Sequence, residues 1–283
     1  MTLMPKHVEA EDTEEEKRIK SKDIVIDVLD KIMSSVAPHL RQRLKQIVSN
    51  SREDELVALY RVYRLLEFYG SMTLEKKLLS ETGPITLAIT ESADNAKEQF
   101  GEMLDNLGDK LLASPPAVIS DLSPPAVLRD VLSKMSKILN THSTSPSRGQ
   151  NHKDREKAFL PTLTKFIQPL LRMCLLSAKT LNSDGETSIY MINCASTIQN
   201  GLKSYVFSLI FIYSVITRNL RSKHRYDFVS HWVNKLVEEI GSWSDVLVRE
   251  HADAMLRDCG LESKLRLISS RTGDKKMSDL DGL

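Results

Sequence analysis

Apolar residues recur along most of this chain at three- and four-residue intervals, the spacing of amphipathic helices, with no strand-like alternation. From Asp23 the text DIVIDVLDKIMSSV sets Ile24, Val28, Leu29, Ile32 and Val36 on one side of a helix. Pro38 follows and either kinks that helix or starts a second one through Leu40, Leu44, Ile47 and Val48. A clear helix then carries Leu56, Leu59, Tyr60, Tyr63, Leu65 and Leu66 as a broad stripe. Ser51, Asp54 and Glu55 read as its cap and acidic first turn.

Punctuation supplies the rest of the layout. ETGPI at 81–85 is a break, with Pro84 suited to the first turn of the next helix. SPPAVISDLSPPA, residues 114–126, holds four of the ten prolines and predicts a stiff, extended connector. Helix resumes at Ala126 through Leu128, Val131, Leu132, Met135, Ile138 and Leu139. Residues 140–154, NTHSTSPSRGQNHKD, are polar and predict a disordered loop between two sub-bundles. Beyond it Phe159, Leu163, Phe166, Ile167, Leu170, Leu171, Cys174, Leu175 and Ala178 form a helical stripe, in which Pro169 is expected to bend or divide the helix near Lys165.

NSDGE at 182–186 has turn chemistry, and a long helix runs from Thr187 to about Asn219. Another follows from Tyr226 with Phe228, Val229, Trp232, Val233, Leu236, Val237, Ile240, Trp243, Val246 and Leu247, and a last short helix is expected at 261–270. The fold class is therefore all-α. The expected division is a mobile leader at 1–22, a first helical bundle at 23–139, the polar loop at 140–154, a second bundle at 155–270 and a mobile tail at 271–283.

Composition agrees with a packed helical protein. Of 283 residues 41% are apolar and 27% charged, and 39 Lys and Arg against 38 Asp and Glu leave a formal charge of +1. Such balance gives no general drive toward nucleic acid or anionic membrane and argues against a wholly disordered chain. The longest apolar run, Tyr205 to Ile216, is interrupted by Ser208 and Ser214 and falls short of the roughly 20 residues that cross a bilayer. With a charged start in place of a signal peptide, a soluble cytosolic or nuclear protein is the default expectation.

Chemistry-bearing residues form no catalytic, cofactor or metal constellation. Phosphate-binding glycine loops, HExxH, GxSxG and CxxC are missing. Cys174, Cys194 and Cys259 are odd in number and dispersed; the first two sit in apolar text and read as buried, inert thiols. His7, His39, His142, His152, His224, His231 and His251 read as surface residues, the nearest pair standing seven apart and too distant to share a metal. Asp27 and Asp30, and Glu53, Asp54 and Glu55, read as solvated helix sides or caps. RNLRSKHR at 218–225 reads as a solvated turn before a phosphate or lipid site. Of Trp232 and Trp243, at least one is expected to be buried, an exposed partner anchor being the alternative.

Several segments together resemble the C-terminal helical region of subunit 6 of the conserved oligomeric Golgi complex, a vesicle-tethering assembly. They are DVLDKIMSSVAPHLRQRLKQIV, with its proline and arginine-bearing continuation; the Tyr-rich LYRVYRLLEFYGSMT; and the proline connector with its helix, PPAVISDLSPPAVLRDVLSKMSKIL. The fullest likeness is FIQPLLRMCLLSAKTLNSDGETSIYMINCASTIQNGL, where Pro169-Leu170-Leu171, Met173-Cys174 and Ser177-Ala178 keep the family's spacing and Ile192-Asn193 lead into the long helix. The likeness extends over about residues 24–268.

This resemblance implies an elongated stack of antiparallel helical bundles, as in other multisubunit tethering proteins. It implies a non-enzymatic role in retrograde intra-Golgi transport at the cytoplasmic face of the Golgi apparatus. The expected contacts are other subunits of that complex, with SNAREs and small GTPases as further partners, membrane association through the complex, and no nucleic acid. The family's N-terminal coiled-coil region has no counterpart in these residues, so the chain reads as a C-terminal fragment or a short relative. The alternative is another all-helical adaptor or scaffold, although no 34- or 40-residue repeat is visible. An enzyme with an unfamiliar all-helical site is a third class.

Overall fold

Prolines and caps decide where the helices begin and end. The computed structural model describes residues 21, 24–49, 55–75, 79–145, 152–217, 227–262 and 264, and of 75, 152–156, 204–217 and 227–228 the backbone alone. The described residues are helical without a strand. The elements are α1 (24–34), α2 (Ala37–Ser49), α3 (Leu56–Glu75), α4 (Pro84–Ala113), α5 (Ala126–Thr144), α6 (His152–Ala178), α7 (Asp184–Thr217) and α8 (Asp227–Asp258).

Pro38 starts a helix: α1 ends, residues 35–36 turn, and Pro38 occupies the first turn of α2, where its missing N–H has no carbonyl to meet. Pro84 opens α4 in the same way. At α7, Ser183 Oγ accepts hydrogen bonds from the N–H groups of Gly185 (3.1 Å) and Glu186 (3.3 Å), a serine N-cap. Helix α8 ends in a Schellman motif. Gly260 at φ +68° lets its own N–H reach the Arg257 carbonyl and the Leu261 N–H reach that of Leu256.

Two compact units emerge, one drawn from Met1–Leu107 and Lys134–Lys165, the other from Gly108–Ser133 and Phe166–Leu283. The division does not follow the polar stretch at 140–154, which lies within the first unit. Helix α5 runs on to Thr144, and its polar residues turn their hydroxyls back onto their own helix: Thr141 Oγ1 donates to the Lys137 carbonyl, and Ser143 and Thr144 to that of Asn140. Residues 146–151 of the expected loop lie outside the described residues, as do the expected leader except Ser21, the expected tail, and all but three residues of the expected helix at 261–270.

In the first unit, α3 and α4 are antiparallel. Tyr60 packs on Phe100 with ring centroids 4.9 Å apart, while Gly70 lies beside Ile89 and Thr90. Leu59, Leu104, Ile138, Leu139 and Leu163 are buried in this unit's core. Full burial of such a side chain stabilises by roughly 1.5–3 kcal/mol. The apolar stripe of α1 has a different fate: Ile24, Val28, Ile32 and Val36 are all exposed, Ile24 by 64%. Leu65, expected in the α3 stripe, is exposed as well.

In the second unit, α6 and α7 are antiparallel. Cys174 hydrogen-bonds Cys194, and Ser177, one turn further along α6, meets Tyr190, one turn earlier on α7. Helices α7 and α8 pack together, also antiparallel, since Ser183 at the start of α7 donates to Glu250 Oε1 near the end of α8 at 3.1 Å. Helix α6 continues across Pro169, so the proline does not divide it. The pyrrolidine ring lies against Gly108 of α4, where an added Cβ would come within 3.1 Å of the proline Cγ. The connector at 114–125 is non-helical, as its prolines predict, and bends at Leu122, a non-glycine residue at φ 55°. Asn193 Nδ2 donates to the Leu122 carbonyl at 3.0 Å, tying this bend to α7.

Candidate protein-binding groove

The inner face of α6 is spent on the core: Ile167, Leu170, Met173, Cys174 and Ser177 are buried. A different face carries Arg172, Leu175, Leu176 and, one residue past the helix, Lys179. These stand at i, i+3, i+4 and i+7, so they lie in line along one side. Leu175, expected among the buried stripe, is 40% exposed here.

That side borders an open hollow of about 660 Å³ within the second unit. Its apolar lining joins Leu112 of α4, Leu175 and Leu176 of α6, and Leu181 of the turn. Arg172, Lys179 and Asp184 are the charged residues on its rim. Asp184 sits in the first turn of α7, where a carboxylate faces the positive end of the helix dipole. Neither Arg172 nor Lys179 pairs with a carboxylate among the described residues. The groove thus offers an apolar floor between two cations about 10.5 Å apart along the helix axis.

Two of the three dispersed cysteines are brought together. Cys174 and Cys194 are free, buried and hydrogen-bonded to each other, and Tyr190 lies beside them. The hydrogen bond with Cys194, together with burial, pushes the Cys174 thiol up from its ordinary range. Burial, then the two neighbouring thiols, pushes the Tyr190 phenol up as well. Their contact was not legible, because twenty residues and a turn separate the two positions. Cys259 is exposed.

Among the other candidates, His142 is the correction. It is buried, stacked on Phe159 with centroids 4.3 Å apart, and hydrogen-bonded to Tyr60. His39, His231 and His251 are exposed, while His7, His224 and the whole of 218–225 lie outside the described residues and nothing is described of the His152 side chain. Trp232 is buried and Trp243 half-buried; Val237, expected in the same stripe, is exposed. Asp27 pairs with Lys31 at 3.0 Å, and Asp30 accepts from the Ser80 N–H at 3.2 Å; Glu55 is exposed, and Glu53 and Asp54 lie outside the described residues. Among the described residues no group of His, Cys, Asp and Glu is arranged to hold a metal ion, and no helix is long and apolar enough to cross a membrane.

Comparison with known proteins adds a second kind of observation. A family model described as conserved oligomeric Golgi complex subunit 6, C-terminal, matches residues 2–283. Conserved oligomeric Golgi complex subunit 6 of Arabidopsis thaliana is 26% identical over 89% of this chain and 38% of its own length. The Dictyostelium discoideum protein of that description is 22% identical over 90% of this chain and 35% of its own. That of Chaetomium globosum is 27% identical over 70% and 28% respectively. The chain thus spans well under half the length of these relatives. No solved structure matches.

Proposed function

The chain belongs to the family of C-terminal regions of conserved oligomeric Golgi complex subunit 6, and from that membership we propose that it serves as a non-enzymatic domain of a Golgi vesicle-tethering complex. It acts through protein–protein contacts with other subunits of that complex and is held peripherally at the cytoplasmic face of the Golgi apparatus. The process is retrograde intra-Golgi transport, with SNAREs and small GTPases as further partners.

The observation that carries this reading is the family match over residues 2–283. Physical features support it. Long amphipathic helices keep apolar side chains at the surface on α1 and α8, where Ile24, Ile32, Val248 and Met255 are exposed, and such positions suit partner contact. The buried His142 and the half-buried Asn193 serve packing and the connector bend, and among the described residues no cluster of such groups converges on a cavity as a reacting site does.

Affinity capture with the full chain from cell lysate, followed by identification of the bound proteins, tests the proposal. Recovery of sister subunits of the Golgi tethering complex is expected. A folded sample that recovers no such subunit overturns it.

A further inference from the structure

We propose that the groove between α4, α6 and the start of α7 receives an acidic amphipathic helix from a partner protein. This rests on the reading of the chain as a protein-binding domain and names the chemistry of one partner. Two observations choose the occupant. The first is the floor: Leu112, Leu175, Leu176 and Leu181 line a hollow of about 660 Å³, room enough for a few aliphatic side chains. The second is the charge pattern. Arg172 and Lys179 bracket Leu175 and Leu176 and have no carboxylate partner among the described residues.

Two cations two turns apart match two carboxylates two turns apart on a helix lying alongside, because both spacings equal about 10.5 Å. On such a helix, Glu or Asp at i and i+7 meets Lys179 and Arg172, and apolar side chains at i+3 and i+4 enter the hollow. A single anionic lipid headgroup presents one charge centre and satisfies only one of the two cations. Asp184, also among the lining residues, sets a limit: it repels a third carboxylate beside it and so restricts which face of the partner helix is acidic.

Fluorescence anisotropy with the full 283-residue chain tests this. The probe is a labelled helical peptide with Glu at i and i+7 and Leu at i+3 and i+4; its control replaces both Glu with Lys. Saturable binding of the Glu peptide, about tenfold or more tighter than the Lys peptide and weakened by salt, is expected. The double variant Arg172→Glu/Lys179→Glu should reverse that preference. Both positions are exposed, so the variant should keep its fold, which circular dichroism checks.

Equal binding of the two peptides, or none, overturns the inference. So does charge-dependent binding to phosphatidylserine vesicles through Arg172 and Lys179 with no peptide binding. Capture of tethering-complex subunits by the wild-type chain is scored alongside. Peptide selectivity without subunit capture upholds the groove and rejects the tethering role; subunit capture without peptide binding does the reverse.

Discussion

The Tyr60 hydroxyl lies 2.7 Å from Nδ1 of His142, eighty-two residues further along the chain. Phe100 and Phe159 pack around the same tyrosine ring, so one polar contact sits inside an aromatic cluster that joins α3, α4, α5 and α6 of the first unit. A hydrogen bond enclosed in this way is worth more than an exposed one, since water cannot replace either partner. Tyr60→Phe keeps the ring and removes the bond, and should cost about 1–2 kcal/mol in urea unfolding. A cost as small as that of an exposed tyrosine such as Tyr69 would show that the bond contributes nothing.

The contact of Gly108 with the Pro169 ring predicts a sign difference along α4. Gly108→Val places new atoms where even a Cβ comes within 3.1 Å of Pro169 Cγ, and should destabilise by roughly 1–3 kcal/mol. Gly101 lies on the same helix with nothing within 4 Å of an added Cβ. Gly101→Ala should therefore stabilise, by about 0.5–1 kcal/mol, through helix propensity alone. Thermal melts of the two variants in parallel check both signs.

Leu170 is fully buried on α6. Leu170→Ala should cost about 2–5 kcal/mol through lost transfer energy and an incompletely closed cavity. Equilibrium denaturation reads this directly, and a change below about 0.5 kcal/mol, the range of ordinary surface substitutions, contradicts the packing.

Ser183 caps α7 with two N–H groups and donates its own hydrogen to Glu250. Ser183→Ala should cost about 0.5–2 kcal/mol, and Ser183→Asn should recover part of it because an Asn side chain also caps. Hydrogen exchange at Gly185 and Glu186 should rise in the alanine variant ahead of exchange elsewhere in α7.

The thiol and phenol cluster sets an alkaline limit on stability. The Cys174 pKa is raised in the fold above its ordinary 9.0, and that of Tyr190 above 10.0. At a pH above these ordinary values the unfolded chain releases protons that the native chain retains, so unfolding free energy falls as pH rises. The contribution of Cys174 and Tyr190 is fully present below about pH 9 and is lost through the alkaline range above it, while Cys194, held below its ordinary range by the hydrogen bond with Cys174, acts in the opposite sense. Cys174→Ala should make this decline shallower. An unchanged slope between the two proteins, measured by denaturant midpoints across alkaline pH, would refute the linkage.

Local chemistry made much of the architecture legible. Pro84, the double prolines of the connector and the periodic runs of α3, α5 and α6 each act within a few residues, so spacing alone locates them. The last turn of α5 was hidden for a physical reason: its Thr and Ser residues look like loop composition, yet their hydroxyls return to helix carbonyls and His142 finds a buried site. The groove was hidden differently. Helix α6 is apolar around much of its circumference, so Leu175 and Leu176 merge with the core stripe until neighbouring helices define which face is covered.

Sequence by itself determined the all-helical class, most helix limits and the family likeness, because hydrophobic period, proline placement and motif order are properties of neighbouring residues. Only the tertiary structure decided which apolar faces are covered. It buries Leu170 and leaves Ile24, Val28, Ile32 and Leu175 at the surface, although all five sit in equally regular stripes. An amphipathic pattern specifies the direction of an apolar face, while its burial depends on elements tens of residues away. That same long-range placement unites Cys174 with Cys194, Tyr60 with His142, and Leu112 with the outer face of α6.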